Sequence, residues 1–293
     1  MKRWIVLTLA LACILALAAC GKSAPPVEEP PATPDESAET PAIPDADAVT
    51  PELPDGDDDL AYILANKKIV IGITDYDPMN YYDEDGKLIG FDTEFAEALC
   101  AKLGVEPVFQ VIDWDTKEIE LKGKTIDVIW NGLTVKDDRR ENMDFSVSYL
   151  VNEQVVVVRA ADAASYTGKD SFSGKTVVAE GGSAGEDTVK ADLTGASYTA
   201  VASQAGTLLE LKAGTADAAV IDLTMARAMT GAGTDYADLT PLDISLTNEE
   251  YAIGFRLGST AVARINELVA ELAADGTLAE LAAKYGVEDL LIK

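Results

Sequence analysis

The chain has 293 residues, room for two ordinary domains, with no histidine, three cysteines and a formal net charge of −28. The missing histidine excludes imidazole acid–base chemistry, histidine triads and histidine–zinc sites. So acidic a surface repels nucleic-acid backbones and anionic headgroups alike, so neither is an expected partner.

Residues 1–19 read as an export signal: Lys2 and Arg3, then an apolar run too short for a membrane span, then small residues up to Cys20. Residues 20–56 hold nine of the chain's twelve prolines among Glu, Asp, Ala and Thr, and have almost none of the large apolar side chains a core requires. They read as a disordered acidic tether, about 35 Å long as a flexible coil and about 120 Å if fully polyproline-like. Cys13 lies in the signal, so a mature chain keeps Cys20 and Cys100 and no disulfide framework is expected. Cys100 shares helical spacing with Ala96, Leu99 and Leu103, which points to a core thiol.

From residue 57 the pattern becomes globular. A short helix is expected over 60–66 and a buried strand over 69–73. Residues 83–87 form a turn, a helix spans 91–103 until Gly104, and a strand follows over 107–112. A helix over 114–122 and a strand over 126–130 close this cycle. A second cycle places strands over 154–159, 176–179 and 218–221, with helices over 186–193, 204–213 and 224–230. A strand over 250–255 and helices over 261–274 and 278–285 end the chain. Strands alternating with helices predict an α/β fold of mainly parallel sheets. We read two lobes, 57–154 with 251–293 and then 155–250, with crossings near 155–158 and 250–252.

Polar residues interrupt this pattern at strand ends. Trp130-Asn131-Gly132-Leu133-Thr134 and then Arg139 follow one apolar strand, and Asp222 ends another. An arginine and an acid on two strand ends suit the two charged ends of a free α-amino acid. Thr134, with Asp137 three residues on, carries a helix-capping signature. Gly181-Gly182-Ser183-Ala184-Gly185 lacks the Gly-Lys-Ser/Thr of a phosphate loop.

Residues 60–293 resemble the extracellular solute-binding proteins of polar amino-acid ABC transporters. The motifs, in order, are Ile71-Gly72-Ile73-Thr74-Asp75 with Pro78; Gly86-Lys87-Leu88-Ile89-Gly90-Phe91-Asp92; Asp113-Trp114-Asp115; and residues 126–134. Arg139, Asp144-Phe145-Ser146 and Tyr149 continue the match, then Gly174-Lys175-Thr176-Val177 with Gly182-Ser183, and Ala219-Val220-Ile221-Asp222. Asp275-Gly276-Thr277-Leu278 with Lys284-Tyr285-Gly286 completes it. The resemblance implies a two-lobed, type 2 periplasmic-binding-protein-like fold, each lobe a sheet flanked by helices, with two hinge crossings.

It also implies roles. Arg139 would grip the ligand carboxylate through a bidentate guanidinium, and Asp222 would neutralise the ammonium. The Thr134 hydroxyl and the Gly132 carbonyl would accept from that ammonium. Ser183 and the backbone N–H of Ala184 would meet the carboxylate. Trp114 would pack on the ligand side chain, with Asp75, Tyr76 and Trp130 near it. Simpler alternatives stand beside each role: a surface ion pair for Arg139 with Asp137 or Asp138, a helix cap for Asp222, core packing for both tryptophans, a turn cap for Asp75. Ala184 and Lys136 depart from the family, which carries hydroxyl residues there.

Leu17-Ala18-Ala19-Cys20-Gly21 resembles a lipoprotein signal, which implies acylation of Cys20. The expectation is a monomeric, lipid-anchored receptor on the outer face of the cell membrane, of Gram-positive type. It would deliver a polar L-amino acid to a permease, with no cofactor, metal or catalysis. The alternative is a cleft enzyme of the same fold such as a cyclohexadienyl dehydratase, for which Glu180 would be the candidate acid. A ligand-sensing signalling domain is a third class, which would need a membrane span beyond residue 293.

Overall fold

The computed structural model describes residues 58–244 and 246–292. The export signal, Cys20 and the acidic tether lie outside the described residues. Among those described, no helix is long and apolar enough to cross a membrane.

Chain order begins with α1 (Asp59–Asn66), β1 (Lys68–Ile73), the hairpin β2 (Tyr81–Tyr82) and β3 (Leu88–Ile89), α2 (Phe91–Leu103) and β4 (Glu106–Val111). A 3-10 turn (Trp114–Thr116) precedes α3 (Lys117–Lys122), β5 (Val128–Ile129), α4 (Asp137–Arg140), β6 (Met143–Phe145), β7 (Leu150–Asn152) and β8 (Gln154–Arg159). Then come β9 (Thr176–Glu180), α5 (Ala184–Asp192), β10 (Ser197–Val201), α6 (Gln204–Ala213), β11 (Ala218–Asp222), α7 (Leu223–Met229), β12 (Leu239–Pro241), β13 (Glu249–Tyr251), β14 (Gly254–Arg256), α8 (Ala261–Ala274) and α9 (Thr277–Lys284).

Two five-stranded sheets result, ordered β4-β1-β5-β14-β6 and β10-β9-β11-β8-β12. The pairs β1–β4, β1–β5, β9–β10 and β9–β11 are parallel, as helix–strand alternation requires. β14, β6, β8 and β12 add antiparallel strands to their flanks. The valine run of β8 is buried along its length because helices cover one face and a separate apolar cluster fills the other.

A third, two-stranded ladder joins β7 to β13, with Glu249 opposite Asn152, Glu250 opposite Val151 and Tyr251 opposite Leu150. This corrects the crossing expected near 155–158. β8 lies wholly in the second sheet, and the ladder between the sheets forms a few residues earlier. The return strand expected over 250–255 is split likewise, into ladder strand β13 and first-sheet strand β14.

The first lobe is closed by a buried ion triad. The Arg256 guanidinium donates to both Asp59 oxygens at 2.8–3.1 Å, to Asp127 Oδ1 at 3.3 Å and to the Ile126 carbonyl at 2.7 Å. It ties α1 to β14 and to the segment entering β5. Removing one member of such a largely buried network leaves its partners without their counter-charge, at a cost of up to about 3–5 kcal/mol. Arg256→Ala is therefore expected to lower the unfolding free energy by about that amount. Urea denaturation of parent and variant checks this; a change within error would show that water reaches the two acids.

Candidate functional site

Every candidate side chain follows the carboxyl end of a strand, the edge at which open α/β sheets take ligands. Tyr76 follows β1, Trp114 follows β4, and Gly132 to Arg139 follow β5. Glu180 ends β9, Ser183 and Ala184 follow it, Gln204 follows β10, and Asp222 ends β11.

Glycine at two loops allows close packing, at Gly132 within the first lobe and at Gly182 between the lobes. Gly132 has φ +58°, and a Cβ there would sit 2.7 Å from the Tyr76 ring. Its N–H donates to Asp92 Oδ2 at 2.7 Å, which also accepts from the Tyr149 hydroxyl at 2.9 Å. Burial pushes the Asp92 carboxyl up to about 7, against the pull of those donors. Gly182 has φ +69°, and a Cβ there would collide with the backbone of Asp115 in the opposite lobe.

Arg139 is buried, and its guanidinium donates to the Thr134 carbonyl at 2.8 Å and, across the lobes, to the Gly182 carbonyl at 3.2 Å. Both partners are neutral, and burial lowers its proton affinity. The alternative of a surface ion pair fails: Asp138 instead accepts from the Arg139 backbone N–H. Asp222 is buried as well. Its Oδ1 accepts from Asn152 and Gln154 side-chain amides at 2.6 Å each, and its Oδ2 from Gln204. It precedes α7 without capping it. Burial, then the neighbouring Glu249, pushes the Asp222 carboxyl up to about 6.

A hydrogen-bonded chain connects these two charges. Glu249 Oε2 accepts from the Thr134 hydroxyl at 3.1 Å, from Gln154 at 2.9 Å and from Asn152 at 3.2 Å. The Tyr76 hydroxyl meets Thr224 at 2.6 Å and Tyr251 at 2.7 Å. Lys117, also buried, donates to the Trp114 carbonyl at 3.1 Å and to the Gly182 carbonyl at 2.8 Å, with its ammonium 4.9 Å from the Trp114 ring centre. Burial and then Arg139 push Lys117 down to about 8. At the cleft edge Lys136, which replaces a family hydroxyl, pairs with Asp187 of the other lobe.

Several expectations need correction. Thr134 caps no helix, because α4 starts at Asp137 after Lys136 and the Thr134 hydroxyl turns to Glu249. Trp130 lies in the first-lobe core, edge-on to Phe95 at 4.8 Å, and not in the cleft. Asp75 is exposed, and its charge contributes to raising Asp77. The Ser183 hydroxyl is engaged as the cap of α5, accepting from the Glu186 N–H, while Ala184 opens that helix. Cys100 is a core thiol as expected, pushed up to about 12 by burial. Sequence reading missed Lys117, Asn152, Gln154, Gln204 and Glu249. The signal available for two of them was polarity next to an all-apolar strand, Asn152 and Gln154 ahead of Val155.

The sequence profile of the bacterial extracellular solute-binding proteins, family 3, matches residues 69–288. The chain belongs to that family. It is 28% identical over 211 residues to the L-cystine-binding protein TcyJ of Escherichia coli, covering 72% of this chain and 79% of that one. It is 27% identical over 288 residues to the arginine-binding extracellular protein ArtP of Bacillus subtilis, covering 97% and 98%. Among solved structures, an ABC uptake transporter substrate-binding protein from Streptococcus pneumoniae with bound histidine superposes with a TM-score of 0.74 at 33% identity, covering 80% of this chain and 99% of that one. The two-lobed type 2 fold is thus shared with proteins that bind amino acids.

The raised Asp222 carboxyl has a consequence for stability. Its folded value, about 6, lies above its ordinary 3.8, so the folded state binds the extra proton between those pH values. This contribution is fully present below about pH 4 and is lost as pH rises through about 6. The ligand-free protein is expected to lose melting temperature over that interval, and Asp222→Asn to flatten the slope there. Thermal scans from pH 4 to 8 check it; parallel slopes in parent and variant would mean that Asp222 ionises as if solvated.

Proposed function

We propose that this chain captures an L-amino acid between its lobes and delivers it to an ABC permease. In this reading Arg139 takes the α-carboxylate and Asp222 the α-ammonium. The observation that carries it is the pairing of a buried cation in one lobe with a buried anion in the other, each held by neutral partners. A buried charge lacking a counter-charge is costly, and a zwitterion would neutralise both at once. A carboxylate would offer the guanidinium two charge-assisted bonds in place of two carbonyls. The Thr134 hydroxyl, the Gly132 carbonyl and the Ala184 N–H lie on the loops flanking these charges and would complete the head-group contacts. Trp114 and Tyr76 would border the side chain. Relatives named for cystine, arginine and histidine support a shared amino-acid head group with a varied side chain.

The ligand leaves unchanged in this reading, as befits a family of binding proteins, and the protein works as a monomer. Residues 20–56 tether the lobes to a lipid on Cys20 at the outer face of the membrane, in a Gram-positive cell where a freely diffusing carrier would be lost. The Leu17-Ala18-Ala19-Cys20 sequence supports that anchor.

Two experiments test these points. Removing one partner of a buried, hydrogen-bonded charge pair costs about 2–5 kcal/mol, so Arg139→Ala and Asp222→Ala should each weaken binding by at least about thirtyfold. Calorimetry with the tightest ligand from a screen of the twenty amino acids and cystine reads this. A variant within about threefold of the parent would remove that residue from the site. For the anchor, each buried CH₂ contributes about 0.8 kcal/mol and two acyl chains hold stably. Cys20→Ser is expected to move the protein from the membrane fraction to the medium; retention after signal cleavage would refute lipidation.

A further inference from the structure

Glu180 is a buried acid in this region that the head-group reading leaves unused. It ends β9, and Oε1 has no hydrogen-bond partner among the described residues. β9 and β11 are parallel neighbours, with Ala218 beside Val177 and Ala219 beside Val178. That register carried forward places Glu180 beside Ile221, one residue from Asp222. Two residues after Glu180, the Gly182 carbonyl receives both Arg139 and Lys117 from the opposite lobe. Glu180 therefore stands at the ligand edge of the sheet, next to the position of the ligand ammonium.

Resting on the reading above, we infer that Glu180 selects the ligand's side chain, and that this side chain ends in a positively charged hydrogen-bond donor. Three observations carry the inference. First, a buried carboxylate oxygen without a donor is costly, and a ligand donor would remove that cost. Second, the protein's own cation does not supply it. Lys117 directs its ammonium to two carbonyls and makes no salt bridge to Glu180. Third, the protein has no charge left to answer Glu180 once it ionises. Buried Arg139 and Lys117 face buried Asp222 and half-buried Glu249, two cations against two other acids. A neutral zwitterion therefore leaves Glu180 in its protonated form, whereas a ligand of net charge +1 offsets the ionised carboxylate. A carboxylate side chain would add a further acid.

The groups acting on Glu180 come from every side. Asp222 on β11 and Asp113 ahead of the 3-10 turn raise its proton affinity, after burial, which acts most strongly. Lys117 on α3 and the Gln204 N–H at the start of α6 oppose them, and the carboxyl is pushed up to about 8. Near neutral pH the ligand-free carboxyl holds its proton. A cationic partner drives it off, so affinity rises with pH up to about 8.

A guanidinium, an ε-ammonium and the second α-ammonium of a disulfide-linked amino acid share the required chemistry. Calorimetry with L-arginine, L-lysine and L-cystine against L-glutamine and L-glutamate separates these sources from one another and from uncharged or acidic side chains. One of the first three is expected to bind at least about thirtyfold tighter than either of the last two. Glu180→Gln should cost that ligand at least about tenfold and abolish the rise in affinity between pH 6 and 8, with the melting temperature of the ligand-free variant no lower than the parent's. A preference for glutamine or glutamate, or a Glu180→Gln variant with unchanged affinity and pH profile, would overturn the inference. If glutamine or glutamate is preferred and Arg139→Ala still abolishes binding, the amino-acid reading survives without it. If none of the twenty amino acids nor cystine binds, both fall.

Discussion

A buried guanidinium in one lobe and a buried carboxylate in the other, each satisfied only by neutral groups, set the constraint on which the site depends. Hydrogen bonds to carbonyls and amides keep such charges from being orphaned, yet they do not cancel the charge. The fold can place them there because both arise at strand carboxyl ends. The backbone arrives rigidly from a parallel sheet and the next residues form a loop able to turn inward. Arg139 follows β5, and Asp222 is itself the last residue of β11. Neither position requires a left-handed backbone, in contrast to Gly132, which packs on the Tyr76 ring, and Gly182, which packs on Asp115 of the other lobe.

The acidity of the site follows from the same geometry. Asp222, Glu180 and Asp92 are all raised by burial, and each is a carboxyl carried inward at a strand or helix end. They differ in what surrounds them. Asp92 is answered by a backbone N–H and a tyrosine, and it holds the Gly132 loop in shape. Asp222 is answered by three amides. Asp92 Oδ1 and Glu180 Oε1 are both left without a hydrogen-bond partner among the described residues, the first against the first-lobe core and the second at the end of β9.

Much of this was legible in the chain. The apolar runs that became β1, β8, β9 and β11 carry their burial in their composition, and the 91–103 helix ends where Gly104 makes it end. Asp222 stood out because a charged residue that ends an apolar strand must go somewhere specific, and Arg139 because a polar run connects it to another such strand. What could not be read were partnerships between distant residues. Thr134 looks like a helix cap because its neighbours are local, whereas its partner Glu249 is 115 residues away. Trp130 follows the same strand as Gly132, and strand parity alone does not say which face meets a core; Phe95 and Tyr149, from α2 and the segment before β7, decide it. β10 escaped notice because its serine, threonine and alanine faces are largely exposed and show no apolar run.

Coupling between site and hinge rests on one further coincidence of position. Asn152 and Glu249 are opposite each other in the β7–β13 ladder, the short connection between the sheets. Asn152 donates both to its opposite, Glu249, and to Asp222. Gln154, the first residue of β8, does the same. Charge arriving at Asp222 therefore alters the balance of hydrogen bonds within the hinge itself, without intermediate packing to transmit it. Tyr251 adds a second link from the same ladder: its hydroxyl meets Tyr76 of the first lobe and Thr224 of the second. A hinge built from residues that also line the site can couple ligand binding to lobe position through contacts alone, because the groups that would sense the ligand are the groups that must rearrange when the lobes part.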